Sequence, residues 1–289
     1  MIKRTTFSSG HCTQLEKITN TAGRWKNVAF PALYFLLQHP TKGNILFDTG
    51  YATHFIEGTK VFPYSIYARL TPVVFDPMNG AVEQVRKLGV EPEQVENIFI
   101  SHFHADHVAG LRDFPKATFV CSKECYEFVK GRNGISALKQ AFIPSLLPYD
   151  FEERMKFIED CPRLEIRDED DAEVKSLQDE FGVVYDLFGD RSFLSIAVPG
   201  HAKGQHGLFF KEDGGYTFLI ADATWDSGAY RELQLPSRLA NLVLQNRTQF
   251  EQTLQKIHHF HKRHPDVRII PSHCKEELTF EQSSARNRK

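Results

Sequence analysis

Three histidines and an aspartate crowd into one short stretch of the chain. The segment FISHFHADHVAG, residues 99–110, places His102, His104, Asp106 and His107 directly after an apolar run. Neutral imidazole and carboxylate are ligands for borderline divalent ions such as zinc. In an extended turn, residues 102 and 104 project to the same side, whereas residues 106 and 107 fall where the chain bends. The spacing therefore predicts ligands for two ions rather than one.

Composition limits the classes of protein and partner. With 289 residues and 41% hydrophobic content, the chain is long enough for one large domain or two small ones. Lys plus Arg number 35 against 37 Asp plus Glu, a formal charge of −2. Because there is no basic excess, we expect no nucleic-acid partner and a small-molecule substrate.

The cellular compartment is predicted from apolar runs and cysteines. No apolar segment follows the basic residues of MIKRTTFSSGHCTQLEK, and ALYFLL at 32–37 is too short to span a bilayer. Five scattered cysteines, an odd number, argue against a disulfide framework and fit a reducing compartment. These features predict a cytoplasmic protein without a membrane span, and they leave the oligomeric state open.

Short β-rich runs alternate with helical ones, which predicts an α/β sandwich rather than a dinucleotide-binding fold. The helix AVEQVRKLG is expected to start from Asn79 and close at Gly89, and a second helix to start with a capping box of Thr248 and Glu251. The predicted strands cover residues 32–38, 44–48, 97–101, 117–121, 193–198, 207–210, 216–221 and 267–271.

Residues 51–76 are rich in aromatic side chains but interrupted by Gly and Pro. This composition favours an apolar lid or pocket wall, and an irregular loop packed on the core is the alternative. The aromatic side chains expected to line a substrate pocket are Tyr51, Phe55, Phe62 and Tyr64.

The sequence resembles the metallo-β-lactamase superfamily, whose signature H-x-H-x-D-H stands at residues 102–107. Further landmarks follow in order: FDTG at 47–50, VPGHAKGQHG with His201, FLIADAT with Asp222 and IIPSHC with His273. The resemblance implies a four-layer αββα sandwich of the metallo-β-lactamase type. It also implies that residues 1–289 form a single metallo-hydrolase domain.

The resemblance assigns a role to each landmark residue. It implies that Asp222 bridges two divalent ions, with zinc as the first choice from ligand type. Asp48 in FDTG is expected to support the ligands from behind. The remaining ligands divide into His102, His104 and His201 for one ion and Asp106, His107 and His273 for the other.

Two ions about 3.5–4 Å apart can activate a bridging water and clamp both the attacking and the leaving oxygen. We therefore expect a metal-bridging hydroxide to attack an ester or lactone carbonyl. Asp106 is the expected catalytic residue, because it can orient that water or pass on a proton.

Within the superfamily, SHFHADHVAG is most similar to the N-acyl homoserine lactonase branch, which cleaves a lactone ring that carries an acyl tail. Residues 51–76 could accommodate such a tail. That branch places a tyrosine three residues after the bridging aspartate, where this chain has Trp225. An indole N–H donates a hydrogen bond but cannot accept one. The long spacing between His107 and His201 predicts an additional cap over residues 131–192.

Other functions stay open. A thioester hydrolase of the glyoxalase II type shares all these ligands, and a non-catalytic metal-stabilised binding protein is a further alternative. An RNA-processing nuclease would require a basic face. A di-iron oxygen-reducing relative would carry glutamate within the motif, where this chain has His104.

Overall fold

A computed structural model of the chain describes residues 1–21 and 23–279. Within these ranges the strands are β1 Lys3–Leu15, β2 Asn27–His39, β3 Gly43–Phe47, β4 Val73–Phe75, β5 Val95–Ile100, β6 Thr118–Cys121, β7 Met155–Phe157, β8 Val184–Asp186, β9 Phe193–Ala197, β10 His206–Glu212, β11 Gly215–Ala221 and β12 Arg268–Pro271.

The helices connect these strands and cover their outer faces. They are α1 Glu16–Thr19, α2 Thr53–Gly58, α3 Tyr64–Leu70, α4 Ala81–Lys87, α5 Ala105–Val108, α6 Lys123–Val129, α7 Gly134–Leu138, α8 Phe151–Arg154, α9 Ala172–Phe181, α10 Ser227–Arg231 and α11 Arg247–Arg263. Short 3₁₀ turns are formed by Pro77–Asn79, Pro92–Gln94, Leu111–Asp113, Pro144–Leu146, Ile158–Asp160 and Arg238–Leu242.

The described strands form two sheets. One has the order β4-β1-β2-β3-β5-β6-β7 and the other the order β12-β11-β10-β9-β8. Strands β3, β5, β6 and β7 run parallel to one another, as do β11 and β12. Because parallel strands end at the same edge of a sheet, residues that follow them are brought close together.

The core lies in three layers that follow the period of the strands. Along β2, Leu33, Phe35 and Leu37 point into the space between the sheets. The intervening Tyr34 and Leu36 pack on the other face against helices that include α4 and α6. Helices α9 and α11 cover the second sheet. Side chains of β2 are buried on both faces, which explains its continuous apolar run, and the predicted four-layer αββα sandwich is confirmed.

All eight predicted strands are present with shifted ends, whereas the three-residue strands β4, β7 and β8 were not predicted. Strand β1 was not predicted either. It has 13 residues and pairs with β2 along most of its length. Most of its side chains are only partly buried, and its sequence KRTTFSSGHCTQL lacks an apolar alternation. Gly10, at a φ of +134°, lies at a shift of register in this pairing. Strand pairing rather than local pattern therefore defines this element.

Two predicted helix starts are wrong. Helix α4 begins after Gly80, and Asn79 belongs to the preceding 3₁₀ turn. Helix α11 begins after Asn246, whose side chain accepts from the backbone N–H of Gln249 at 3.1 Å. An Asn two residues before Thr248 offers an equally good cap. The N-cap is the last residue with non-helical backbone angles before the helix, and here that residue is Asn246.

The two segments singled out in the sequence contain regular structure. Residues 51–76 form α2, α3 and β4. Residues 131–192 form α7, α8 and α9 and contribute β7 to one sheet and β8 to the other. They meet where the backbone N–H of Gly134 donates to the Tyr64 hydroxyl at 2.9 Å. No helix among residues 1–21 and 23–279 combines the length and apolar composition that a membrane crossing requires.

Candidate metal centre

The predicted ligands lie where strands of both sheets end. His102 and His104 follow β5, and His201 lies in the connection between β9 and β10. Asp222 comes directly after β11, and His273 follows the end of β12. Residues that are far apart in sequence thus meet at a shared edge of the two sheets.

The turn FDTG holds the helix that carries the end of the motif. Helix α5 begins directly after His104, so that Asp106 and His107 lie in its first turn. The backbone N–H and the hydroxyl of Thr49 both donate to the carbonyl oxygen of His107, at 2.8 and 3.0 Å. The N–H of Gly110 donates to the Thr49 hydroxyl at 3.0 Å. Thr49 therefore holds the C-terminal end of this short helix.

The first ligand group consists of His102, His104 and His201. One potential ligand atom from each lies within 4.8 Å of the others. Nε2 of His201 is 2.9 Å from Nδ1 of His104, and the ring centroids of His102 and His104 are 4.5 Å apart. Three imidazoles thus converge on one point.

The second ligand group consists of Asp106, His107 and His273, whose ligand atoms also lie within 4.8 Å of one another. Oδ2 of Asp106 is 3.6 Å from Nε2 of His273 and 3.8 Å from Nε2 of His107. Nδ1 of His273 lies 2.7 Å from the carbonyl oxygen of Pro31. Because Nδ1 donates to that carbonyl, Nε2 of His273 is the nitrogen that faces the other members of the second group.

Asp222 joins the two groups. Its Oδ2 is 3.2 Å from Nε2 of His201 in the first group and 3.0 Å from Nε2 of His273 in the second. Its Oδ1 is 3.4 Å from Nε2 of His107. A single carboxylate therefore reaches both clusters of ligand atoms.

Asp48 lies behind the second group and orients it. It is fully buried, and its Oδ2 accepts from Nδ1 of His107 at 2.7 Å. The backbone N–H and the hydroxyl of Ser101 donate to the same carboxylate at 2.8 and 2.7 Å. Because Nδ1 of His107 is occupied, its Nε2 is the nitrogen presented to the site.

The pKa values of the histidines separate the two groups. Burial lowers the pKa of His104 to about 4 and that of His201 to about 3, and it holds the pKa of His102 well below 6.5. Burial acts the same way on His107 and His273, but neighbouring carboxylates outweigh it and raise both pKa values. The imidazoles of the first group are therefore neutral near neutral pH, whereas those of the second group favour the protonated form more strongly than a free imidazole does.

Divalent ions fit this donor set. Nε2 of His102, Nε2 of His107 and Oδ1 of Asp222 are buried without a hydrogen-bond partner in the part of the chain that the structure describes. Leaving such atoms unpaired costs free energy. Five imidazoles and two carboxylates are typical ligands of zinc and of related transition metals.

Gly200 places His201, and its replacement by alanine is expected to be severe. Its φ is +127°, and a Cβ there would lie 2.2 Å from the backbone nitrogen of Phe250. We expect Gly200→Ala to lower the free energy of unfolding by at least about 3 kcal/mol, from strain and overlap together. Urea unfolding and metal content measure the effect.

Gly89 supplies the matched control for Gly200. Its φ is +77°, but no described atom lies within 4 Å of its Cβ position. Gly89→Ala should therefore lower the free energy of unfolding by only about 1 kcal/mol, from backbone strain alone. Equal losses in the two variants would contradict the overlap at Gly200.

Only some of the residues predicted to line a substrate pocket are buried near the candidate ligands. Tyr51 is buried after the FDTG turn with its ring centroid 5.0 Å from that of Phe55. Trp225 is buried 5.8 Å from His201, edge to face. Tyr64 binds Gly134 instead. Phe62 is 75% exposed, and the structure does not bring it to these residues.

Several residues of the centre had no clear signal in the sequence. Ser101 bonds to Asp48, and its carbonyl oxygen accepts from the backbone N–H of His206, which links the two sheets. Cys12 and Tyr67 lie near the site, since the charge of Asp106 acts on both. Ser101 could have been found from its place before the motif, whereas Cys12 and Tyr67 depend on long-range packing.

Comparison with known proteins identifies the family. The metallo-beta-lactamase superfamily matches residues 28–216. The N-acyl homoserine lactonase AttM of Rhizobium radiobacter is 26% identical over 261 residues, which cover 90% of this chain and 88% of the relative.

Two solved structures share the fold. One, an N-acyl homoserine lactone hydrolase with the product N-hexanoyl-L-homoserine at its catalytic metal centre, has a TM-score of 0.71 at 18% identity and covers 96% of this chain and 95% of its own. Another, the dizinc quorum-quenching lactonase AidC, has a TM-score of 0.60 at 14% identity, with coverages of 95% and 88%. The predicted hydrolase class is confirmed, and the class implies divalent metals. The chain belongs to the metallo-beta-lactamase superfamily.

Proposed function

We propose that this protein is a dinuclear metal-dependent hydrolase that cleaves the ester bond of a lactone or of an open-chain ester. An acyl-homoserine lactone is the first candidate substrate. The observation that carries the proposal is the position of Asp222, within 3.2 Å of a histidine in each ligand group. A carboxylate that reaches both ligand groups in this way is suited to a pair of neighbouring ions. The names of the relatives supply the candidate substrate.

The two ligand groups would hold one ion each, with Asp222 shared between them. Zinc is the first candidate, from the ligand types and from the dizinc relative. When bound, such a pair of ions supplies an activated water near neutral pH and polarises a carbonyl oxygen. Asp48 keeps His107 in the tautomer and orientation that ligation needs.

Asp106 is the proposed catalytic residue. Its side chain keeps 11% of its surface exposed, more than the 3% of Asp222. It is therefore the more solvent-accessible of the two carboxylates. Because its Oδ2 lies within 4 Å of His107 and His273, Asp106 stands beside the second ligand group, where its carboxylate can orient the attacking water or pass on a proton.

Residues 51–76 and part of 131–192 are proposed as the walls of the substrate site. Phe55 packs between Tyr51 and Tyr67, with ring centroids 5.0 and 5.6 Å away. The backbone N–H of Ala105 donates to Ala141 at 3.1 Å, which ties the second segment to helix α5. This apolar aromatic cluster beside the ligands would accommodate an acyl tail, and Trp225 would form the wall on the His201 side.

The test combines metal analysis with a substrate panel on protein purified without chelator. We expect about two equivalents of divalent metal and hydrolysis of N-hexanoyl-homoserine lactone with a kcat/KM of at least about 10⁴ M⁻¹s⁻¹. A glutathione thioester should react at least about 100-fold more slowly. A preference for the thioester, or a metal content near zero, would contradict the proposal.

A further inference from the structure

The backbone places Tyr51 rigidly at the end of the FDTG turn. Gly50, at a φ of +63°, reverses the chain directly before it. The backbone N–H of Tyr51 donates to the Ser9 hydroxyl at 2.6 Å, and its ring packs edge-on against Phe55. The ring is 1% exposed, so the orientation of its hydroxyl is fixed by packing.

The hydroxyl of Tyr51 is buried without a hydrogen-bond partner among residues 1–21 and 23–279. Buried tyrosine hydroxyls usually find a partner, because an unpaired one costs free energy. The Cys12 thiol lies beside it, but a thiol is only a weak partner. The donor of Tyr51 is therefore left unused by the residues that the structure describes.

Tyr51 lies on the side of the second ligand group. Its neighbour Cys12 pairs with Phe30 between strands β1 and β2, and the ring of Phe30 meets that of His273 edge-on at 6.3 Å. Burial raises the pKa of Tyr51 well above 10, and the negative charge of Asp106 raises it further. The hydroxyl thus stays protonated and can act as a donor near neutral pH.

The position that usually carries a tyrosine in the lactonase branch is occupied by Trp225 in this chain. Trp225 lies against Phe250, with ring centroids 5.3 Å apart, and edge-on to His201 of the first group. Its indole is held as a wall by these two contacts. Tyr51, by contrast, lies after the FDTG turn on the side of the second ligand group.

We propose that the Tyr51 hydroxyl donates a hydrogen bond to the ester or lactone group of the bound substrate, which makes Tyr51 a catalytic residue of the reaction proposed above. Negative charge develops on the oxygens of that group as the carbonyl is attacked. A fixed donor in a buried site stabilises this charge more than it stabilises the uncharged substrate. The Tyr51 proton stays on the phenol throughout.

The test compares Tyr51→Phe with Tyr126→Phe in metal-loaded protein. Both tyrosines are buried, but the Tyr126 hydroxyl donates to Glu152 at 2.5 Å. For N-hexanoyl-homoserine lactone we expect Tyr51→Phe to lower kcat about 10- to 100-fold and to change KM less than about threefold. Metal content and Tm should match the wild type, and Tyr126→Phe should keep its kcat.

Two outcomes overturn the role of Tyr51 and separate it from the proposed function. An active wild type with a Tyr51→Phe kcat within about twofold refutes the role of Tyr51 alone. Loss of activity in Trp225→Phe but not in Tyr51→Phe assigns the donor to Trp225, and it likewise refutes the role of Tyr51 alone. A metal-loaded wild type that hydrolyses no lactone or ester refutes the proposed function itself.

Discussion

Replacement of Asp222 by asparagine is expected to lower kcat/KM for the lactone at least about 1,000-fold, or about 4 kcal/mol of transition-state stabilisation. The metal content should fall from about two equivalents to one or less, because Asp222 reaches both ligand groups. Loss of groups that only support ligands already costs about 10- to 100-fold. Asparagine keeps the shape of the side chain, so packing is preserved while the shared negative charge is lost.

Asp186 provides a matched control for Asp222, as another buried aspartate of the five-stranded sheet. Its carboxylate accepts from the backbone N–H groups of Gly189 and Arg191 at 2.9 and 2.8 Å. Asp186→Asn should cost about 1 kcal/mol of stability and leave the metal content unchanged. If Asp222→Asn kept two equivalents of metal by elemental analysis, the bridging role of Asp222 would be refuted.

The positions of the candidate ligands could be predicted from the sequence because the motif is compact and the resemblance to a known family supplied the other landmarks. Asp222 and His273 come directly after the ends of β11 and β12, so that the sheet itself places them once the resemblance has singled them out. The same reasoning predicted the central strands, whose buried faces impose apolar residues. Strand β1 lacks such a pattern and is defined only by its partners.

The substrate side of the centre was less predictable. Aromatic composition indicated that residues 51–76 border a pocket, but composition does not indicate which ring turns inward. Tyr51 and Phe55 are buried together, whereas Phe62 is exposed. The contribution of Cys12 and Tyr67 requires strand β1 and helix α3 to pack beside Asp106, and no local signal encodes contacts at that separation.

Charge divides the two ligand groups in a way that the sequence could not indicate. Four of the five histidines are buried and His104 is half-buried, and burial disfavours the imidazolium form in each. Carboxylates reverse this effect only where they are close, at His107 and His273. In metal-free protein near neutral pH the imidazoles of the first group are thus neutral, whereas those of the second group favour the protonated form more strongly than a free imidazole does.

The two metal equivalents are therefore expected to differ in their dependence on pH. Binding to the first group displaces few protons above pH 6, because His104 and His201 have pKa values of about 4 and about 3. Binding to the second group must displace protons from His107 and His273, whose pKa values are raised. Its affinity should rise up to about 10-fold per pH unit for each proton displaced, and level off above the raised pKa values.

Titration calorimetry of metal-free protein with zinc, in buffers of different ionisation enthalpy, measures this difference. At pH 6.5 we expect the second equivalent to release more protons than the first, which should release fewer than about one. His273→Gln removes one protonated imidazole from the second group, so that equivalent should release about one proton fewer. Equal proton release by both equivalents would show that the carboxylates around His107 and His273 do not outweigh burial, and that the two groups have the same charge before metal binds.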